Sequence, residues 1–302
     1  DPVDQTVLAN EQVLSDGTSE RSGAKVIQKP LKQWFFKITD YADELLNFDE
    51  LNWPKKTISM QKNWIGKSVG ASIQFKISNF EEKIEIFTTR PDTIFGATYL
   101  VLSPEHELTK KISDNDSKVL KYIEESSLKN ELQRLDLNKD KSGIFSGAYA
   151  INPANNKKIP IWIADYVLVS YGTGAIMAVP GHDERDYEFA QKYDINIEMV
   201  VSKEKNPTQS EGPLYKEGFC INSDFLNGLS TKEAKIEIIN WLEKKSLGKK
   251  EVNFRLRDWL ISRQRYWGTP IPIVYDPNGK PHLVPEKHLP WRLSGGEKQR
   301  VA

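Results

Sequence analysis

A chain of 302 residues, with 42 Lys and Arg set against 42 Asp and Glu, carries no net charge, so no global field draws it to nucleic acid and any RNA contact must be local. Its single cysteine, Cys220, excludes an intramolecular disulfide and any multi-cysteine metal centre, which points to a reducing compartment, the cytoplasm. The length gives room for a sizeable core and about two domains, and neither a signal-peptide pattern nor an apolar run of about 18 residues is present.

The chain opens on Asp1-Pro2-Val3-Asp4 without an initiator methionine and is expected to be a piece of a longer protein. Residues 1–63 read as connecting structure, with Asp16-Gly17 as a turn signal between short extended pieces. Trp34, Phe35 and Ile38, then Tyr41, Ala42, Leu45 and Leu46, fall at helical spacing and are expected in a core rather than as a base-stacking platform. Gly66-Lys67-Ser68 invites a phosphate-loop reading, but that motif needs a glycine where Gln61 stands, so the reading fails.

Near Trp64 the pattern turns to short strands. Ala71, Ile73, Phe75 and Ile77, then Ile84 and Ile86, alternate along two of them. The second runs into Thr88-Thr89-Arg90-Pro91-Asp92-Thr93-Ile94-Phe95-Gly96, where Pro91 forbids a continued ladder. Ser103-Pro104 reads as a helix start, Ser at the cap and Pro at the first position, leading into an amphipathic segment to about Leu135; His106 in its first turn reads as a surface histidine. Strands return from about Gly147 to Tyr171, with a turn at Pro153-Ala154-Asn155-Asn156.

A second polar loop follows in Gly172-Thr173-Gly174-Ala175-Ile176-Met177-Ala178-Val179-Pro180-Gly181-His182-Asp183-Glu184-Arg185-Asp186. Its apolar run, Ala175 to Val179, is closed by Pro180 and Gly181. Asp183 sits at an N-cap position, with Glu184 and Asp186 in the first turn, where a helix dipole favours carboxylates. The helix continues through Tyr187, Phe189, Ala190 and Tyr193, and residues 202–213 form a polar loop. Ser230-Thr231-Lys232-Glu233 is a capping box for a helix through Trp241 and Leu242 that ends near Gly248. Beyond Val252, Arg255, Arg257, Arg263 and Arg265 surround Asp258 beside Trp259 and Trp267. Two strand ends bearing hydroxyls and carboxylates could converge on one pocket. By chemistry alone, β-forming threonines, a cap and a dipole partner explain the same residues equally well.

The two signature stretches resemble those of the editing domain inserted in leucyl-tRNA synthetases. The resemblance continues, in chain order, through Asp4-Gln5-Thr6-Val7-Leu8-Ala9-Asn10-Glu11-Gln12-Val13, Gln33-Trp34-Phe35-Phe36-Lys37-Ile38-Thr39 and Asp258-Trp259-Leu260-Ile261-Ser262-Arg263-Gln264-Arg265-Tyr266-Trp267-Gly268. It implies an α/β fold: a mixed strand-and-helix editing domain with a barrel-like β core, flanked by pieces of a class I, Rossmann-like catalytic domain. The implied organisation is 1–63 connective, 64–251 editing domain, 252–290 return into the catalytic domain, and 291–302 an atypical tail. That tail, with Leu293-Ser294-Gly295-Gly296-Glu297-Lys298-Gln299-Arg300, resembles an ABC ATPase signature loop and reads as a chimeric end. Relatives often hold zinc near the Asp16-Gly17 turn; here Asp1, Thr18, Ser19 and Ser22 offer no thiolate or imidazole, so no metal is expected.

The implied reaction follows from a limit on recognition. One methylene is worth only about 1–3 kcal/mol, so synthetases for small apolar amino acids add a hydrolytic site. The ester to tRNA is activated, and positioned water with charge stabilisation suffices. By resemblance Asp186 binds the ammonium group, Asp183 assists it or the ribose, Thr88 and Thr89 hold substrate or water, and Thr93 gates against leucine. Arg90 and Arg185 brace loops or touch the tRNA end, Met177 and Val179 wall the pocket, and His182 lines it without being an obligatory base. The partners implied are the acceptor end of tRNA(Leu) and a small amino acid, leucine or norvaline-like, with no membrane and a monomeric state. Editing needs no cofactor, whereas the parent ligase uses ATP and Mg. The ATP-holding motifs of the synthetase are absent here, so the chain alone is expected not to charge tRNA. Alternatives are a valyl- or isoleucyl-type editing domain, or a noncatalytic tRNA-binding fragment.

Overall fold

The computed structural model describes residues 1–8, 12–14, 16–27, 32–113, 116–127, 134, 141–168, 173–205, 207, 212–261 and 271–289. Two compact units result: Lys67–Arg255, and a smaller one of Asp1–Gly66 with the chain from Leu256 onward. Gly172, Arg263, Arg265, Trp267 and the whole tail 291–302, all singled out from the sequence, lie outside the described residues.

In the smaller unit the Asp16-Gly17 signal holds: Gly17 takes φ +79° and Val13 bridges Ser19 across the turn. The apolar set from Trp34 to Leu46 is not one helix. It forms a short strand, β1 (Phe35–Phe36), and two 3-10 turns, Ile38–Tyr41 and Glu44–Leu46. Only Ile38 and Ala42 of that set are buried, while Phe35, Tyr41 and Leu45 are exposed. The physical reason is local: the Thr39 amide and hydroxyl both donate to the Asp258 carboxylate, at 3.2 and 2.7 Å, where a helix would bond to its own backbone. Helix α1 (Lys55–Ile65) is a further departure from the sequence reading. It follows Pro54 and ends on Gly66 in the left-handed region, φ +60°, the usual proline–glycine asymmetry of a helix.

The larger unit begins with β2 (Ser68–Ile77), β3 (Lys83–Thr88) and β4 (Tyr99–Leu102), with a 3-10 turn, Pro91–Gly96, before β4. Helices α2 (Glu107–Ile112) and α3 (Ser117–Ser127) lead to β5 (Gly143–Ile151), β6 (Lys158–Ala164) and β7 (Ala175–Ala178). Then come α4 (Glu184–Lys192), the small ribbon of β8 (Val201–Ser202) and β9 (Phe219–Cys220), α5 (Thr231–Lys244) and β10 (Gly248–Asn253). The remaining strands, β11 (Trp259–Leu260), β12 (Ile273–Tyr275) and β13 (Pro281–Leu283), belong to the smaller unit, where β11 pairs β1.

The main sheet runs β10-β2-β5-β6-β4-β7, with β3 on the other edge of β2. Only β4 and β6 pair in parallel; the other neighbours are antiparallel. Following the pairings round, β3 and β7 run in the same direction, and the two lie against each other. The sheet therefore curls into a barrel-like ring whose open seam is β3 and β7. Strands β4, β6 and β7 divide their side chains between two cores by the period of two, whereas β2, β3 and β5 feed only the first. Ile73, Phe75, Ile84, Ile86, Leu100, Leu102 and Ile161 pack with Ala234, Ile238 and Leu242 of α5 on one face. Tyr99, Val101, Ala164 and Ala178 pack with Phe189 and Ala190 of α4 on the other. Burying one such side chain is worth roughly 1.5–3 kcal/mol.

Three local expectations shift. The helix expected at Ser103-Pro104 starts at Glu107, because His106 caps it: Nδ1 accepts the Leu108 amide at 3.2 Å. His106 is thus half-buried rather than a surface histidine, and burial holds it below its ordinary pKa. Gly147, expected to open a strand, instead marks a bulge within β5 at φ +83°. The Ser230 capping box is formed, but α5 ends at Lys244, and Gly248 opens β10, where a Cβ would stand 2.3 Å from the Ser72 carbonyl oxygen.

Candidate functional site

Because β3 and β7 run the same way, Thr88 and Ala178, their last residues, emerge at the same end of the seam. On the β3 side the Thr88 hydroxyl accepts the Arg90 amide at 3.0 Å, which leaves its own proton free to donate. Thr89 is exposed. The Arg90 guanidinium forks onto Asp92, with Nε 3.0 Å from Oδ1 and Nη2 2.8 Å from Oδ2. Asp92 is fully buried, so this charge-assisted pair cannot lose its cation without stranding a buried carboxylate. Thr93 donates its hydroxyl to the Arg90 carbonyl at 2.9 Å and is 1% exposed. The Ile94 carbonyl accepts from Asn152 Nδ2 at 2.8 Å, which fixes the far end of the turn.

On the β7 side Asp183 is the N-cap anticipated for α4. Its Oδ1 accepts the Arg185 amide at 2.9 Å and the Asp186 amide at 3.2 Å, and the Arg185 guanidinium lies 3.6 Å away. Asp183 and Arg185 are both substantially solvent-exposed. Asp186 is different. It is 6% exposed, and among the described residues its carboxylate takes one hydrogen bond, from the Val179 amide to Oδ2 at 2.8 Å. Burial, with the neighbouring Asp183 charge, pushes its pKa up to about 7. A carboxylate buried with so little compensation in the first turn of α4 fits the pattern of a functional group better than that of a structural pair.

His182 is committed to the backbone. Its Nε2 accepts the amides of Val200 and Val201, at 2.9 and 3.0 Å, so the proton is on Nδ1, which donates to the Leu214 carbonyl at 2.8 Å. Burial keeps it below its ordinary pKa, helped by the nearby Arg90 charge, which also places it beside the β3 loop. No ring nitrogen is left for a substrate, so His182 braces the site rather than lining it. Met177 and Val179 are buried in the inner core at the base of the seam.

The seam thus gathers Thr88, Thr89, Arg90 and Thr93 from one loop and Val179, His182, Asp183, Arg185 and Asp186 from the other. What the sequence reading missed is the strap between them, residues 198–201. A Cβ on Gly96 would stand 2.7 Å from Val200 Cγ2, and one on Gly181 would stand 2.5 Å from the Glu198 carbonyl oxygen. Both glycines are the only readable trace of that packing. A cavity of about 430 Å³ opens elsewhere, on the outer sheet face between Phe145, Tyr149, Trp162 and Tyr193, and contains none of the expected site residues. Its walls are mixed, with Thr98, Lys157, Lys158, Asp194 and Glu198 beside the aromatic rings, and Lys157 is already paired with Glu198 at 2.6 Å. Among the described residues no His, Cys, Asp and Glu group is arranged to hold a metal ion, and no helix is long and apolar enough to cross a membrane.

Two family models match the chain. Residues 62–243 match the family described as leucyl-tRNA synthetase, editing domain, and residues 216–294 match that of class I tRNA synthetases for I, L, M and V. Among solved structures, the agnB2 LeuRS of Agrobacterium radiobacter K84, crystallised as a ternary complex with tRNA and LeuAMS, is 37% identical with a TM-score of 0.70. The match covers 96% of this chain and 33% of that one, so the chain spans about a third of that synthetase's length.

Proposed function

We propose, for a chain that belongs to the leucyl-tRNA synthetase editing-domain family, that the β3/β7 seam hydrolyses aminoacyl-tRNA(Leu) carrying the wrong amino acid. The observation that carries this reading is Asp186: a carboxylate out of water, one amide bonded to it, its pKa up to about 7. An ammonium group is the partner that would complete it. Position along the chain supports the same role, since Asp186 closes the second signature stretch.

In this reading Lys67–Arg255 is the editing unit and the smaller unit belongs to the synthetase body. Asp186 holds the ammonium of the misattached residue, with Asp183 beside it near the amino group or ribose. Thr88, with its free hydroxyl proton, and the exposed Thr89 hold the ester or the attacking water. Water adds to the ester carbonyl, the bond to the ribose oxygen breaks, and that oxygen takes up the proton. Free amino acid and intact tRNA leave. Thr93, its hydroxyl turned to the Arg90 carbonyl, limits the space available to a branched side chain, which spares leucine and admits norvaline. Val179 and Met177 supply apolar walls. Arg90 braces the turn through Asp92, and the exposed Arg185 is free to meet the tRNA end.

The partners are then the acceptor end of tRNA(Leu) and a small amino acid, in the cytoplasm, with the protein acting as a monomer. Editing needs no cofactor. The ligase as a whole couples leucine to tRNA at the expense of ATP with Mg, and this stretch lacks the motifs that would hold ATP. The test is hydrolysis of norvalyl-tRNA(Leu) and leucyl-tRNA(Leu) by the purified chain. Selective release of norvaline, lost in Asp186→Ala, is expected. Equal release of both amino acids, or full activity in the variant, would sink the assignment.

A further inference from the structure

Asp186 is held from both of its ends, and the second anchor comes from outside both signature stretches. Tyr99 opens β4 and sits opposite Ala178 in the β4/β7 pairing. It is fully buried, its ring stacks on Phe189 of α4 with centroids 5.5 Å apart, and its hydroxyl donates to the Asp186 carbonyl at 3.0 Å. The Asp186 carboxylate meanwhile accepts the Val179 amide, one residue beyond Ala178. One residue of β4 therefore ties the end of β7 to the first turn of α4, and the carboxylate sits in the angle between them. Burial pushes the Tyr99 phenol far above its ordinary range, with Tyr166 and Asp186 adding to the effect, so the hydroxyl remains a donor at every working pH. Tyr166, whose ring lies 5.8 Å from Phe189, walls the same cluster.

We infer that Tyr99 is a positioning residue for substrate-ammonium recognition: its hydroxyl bond to the Asp186 carbonyl sets where the Asp186 carboxylate stands. The inference rests on the hydrolytic reading above and adds a residue to it. The loss of one buried hydrogen bond corresponds to about a five- to tenfold effect. Tyr99→Phe keeps the ring stacked on Phe189 and removes only the hydroxyl.

The test uses two substrates, norvalyl-tRNA(Leu) and its N-acetylated form, which has no ammonium group. Tyr99→Phe should lower kcat/KM for the free amine about five- to tenfold, chiefly through KM, and leave the N-acetyl substrate unchanged. A second readout needs no activity: exchange of the Val179 amide with solvent, which reports the bond to the Asp186 carboxylate, should quicken in Tyr99→Phe relative to the Met177 amide. An equal loss on both substrates, or unchanged rates with unchanged Val179 exchange, overturns the inference. If the unaltered chain releases neither amino acid, or Asp186→Asn is fully active, the hydrolytic reading itself fails, and Val179 exchange still judges the Tyr99 anchor.

Discussion

Replacing Asp186 by Asn should make the protein more stable at neutral and alkaline pH while removing its activity. The folded carboxyl titrates at about 7 against an ordinary 3.8, because burial and the Asp183 charge both oppose ionisation. A folded-state pKa raised above the unfolded one means that the folded chain keeps a proton that the unfolded chain has released. The contribution is therefore fully present below about pH 4 and is lost as pH rises through 7. At about 1.4 kcal/mol per unit, the roughly three units between them amount to at most about 4 kcal/mol. Asn carries no charge, and its Oδ1 can still accept the Val179 amide. Asp186→Asn should thus match the parent near pH 4 and exceed it by up to about 4 kcal/mol at pH 8. For a unit of this size that is on the order of 8–16 °C in Tm. Urea unfolding at half-unit steps from pH 4 to 8.5, followed by far-ultraviolet circular dichroism, reads it directly. Subtracting the two curves removes every other titrating group, His182 included. A flat difference across that range, or a variant less stable than the parent at pH 8, would refute the reasoning.

Arg90→Met should cost about 3–5 kcal/mol, since it leaves the fully buried Asp92 carboxylate without its cation; Arg90→Met with Asp92→Leu should recover much of this, and urea midpoints for the two variants decide it. Gly70→Ala would put a Cβ 2.0 Å from the Thr88 carbonyl oxygen, so β2 and β3 must part at the site: a loss of roughly 1–3 kcal/mol is expected, with Gly212→Ala, which meets nothing within 4 Å, as a neutral control. Burial depresses the His182 pKa, so its contribution is complete above the unfolded value of 6.5 and is lost as pH falls below it; His182→Gln should be less stable at pH 8 and flatter in acid, and an unchanged acid slope in thermal melts would count against it. Thr93→Ala should let leucyl-tRNA(Leu) be hydrolysed, with unchanged discrimination in the deacylation assay removing its gating role.

The loops were legible because they break local rules. Pro91 stops a ladder, Asp183 announces a cap, and Ser230 with Glu233 announces a capping box, each a signal confined to a few residues. The relation between the loops was not. That β3 and β7 run side by side in one direction is set by five successive pairings through β2, β5, β6 and β4, and no stretch of sequence records that sum. Helix α1 was missed because its apolar face is thin: Ile65 is its one buried residue, while Met60 and Trp64 are exposed. His106 and His182 illustrate the same limit. His106 read as a surface residue but caps α2 through the Leu108 amide two residues on. His182 read as a pocket lining but spends its ring on Val200, Val201 and Leu214, which only the folded chain brings within reach.

The cost at Asp186 also explains the rigidity around it. A buried carboxylate with one amide for a partner would relax toward water if its loop allowed, and the fold forbids this by several independent bonds. Asp183 caps the helix that carries it, Tyr99 fixes its carbonyl, and His182 fastens the preceding loop to the strap at Val200 and Val201. Arg90 does the same for the opposite loop by locking Asp92. Held in this way, the carboxylate cannot recover its solvation by moving, and in the proposed reading an arriving ammonium restores what folding removed. On that reading, stability given up at one buried charge becomes affinity for a cation of the right shape. Relieving the strain by Asp186→Asn should therefore gain stability and lose recognition in the same step.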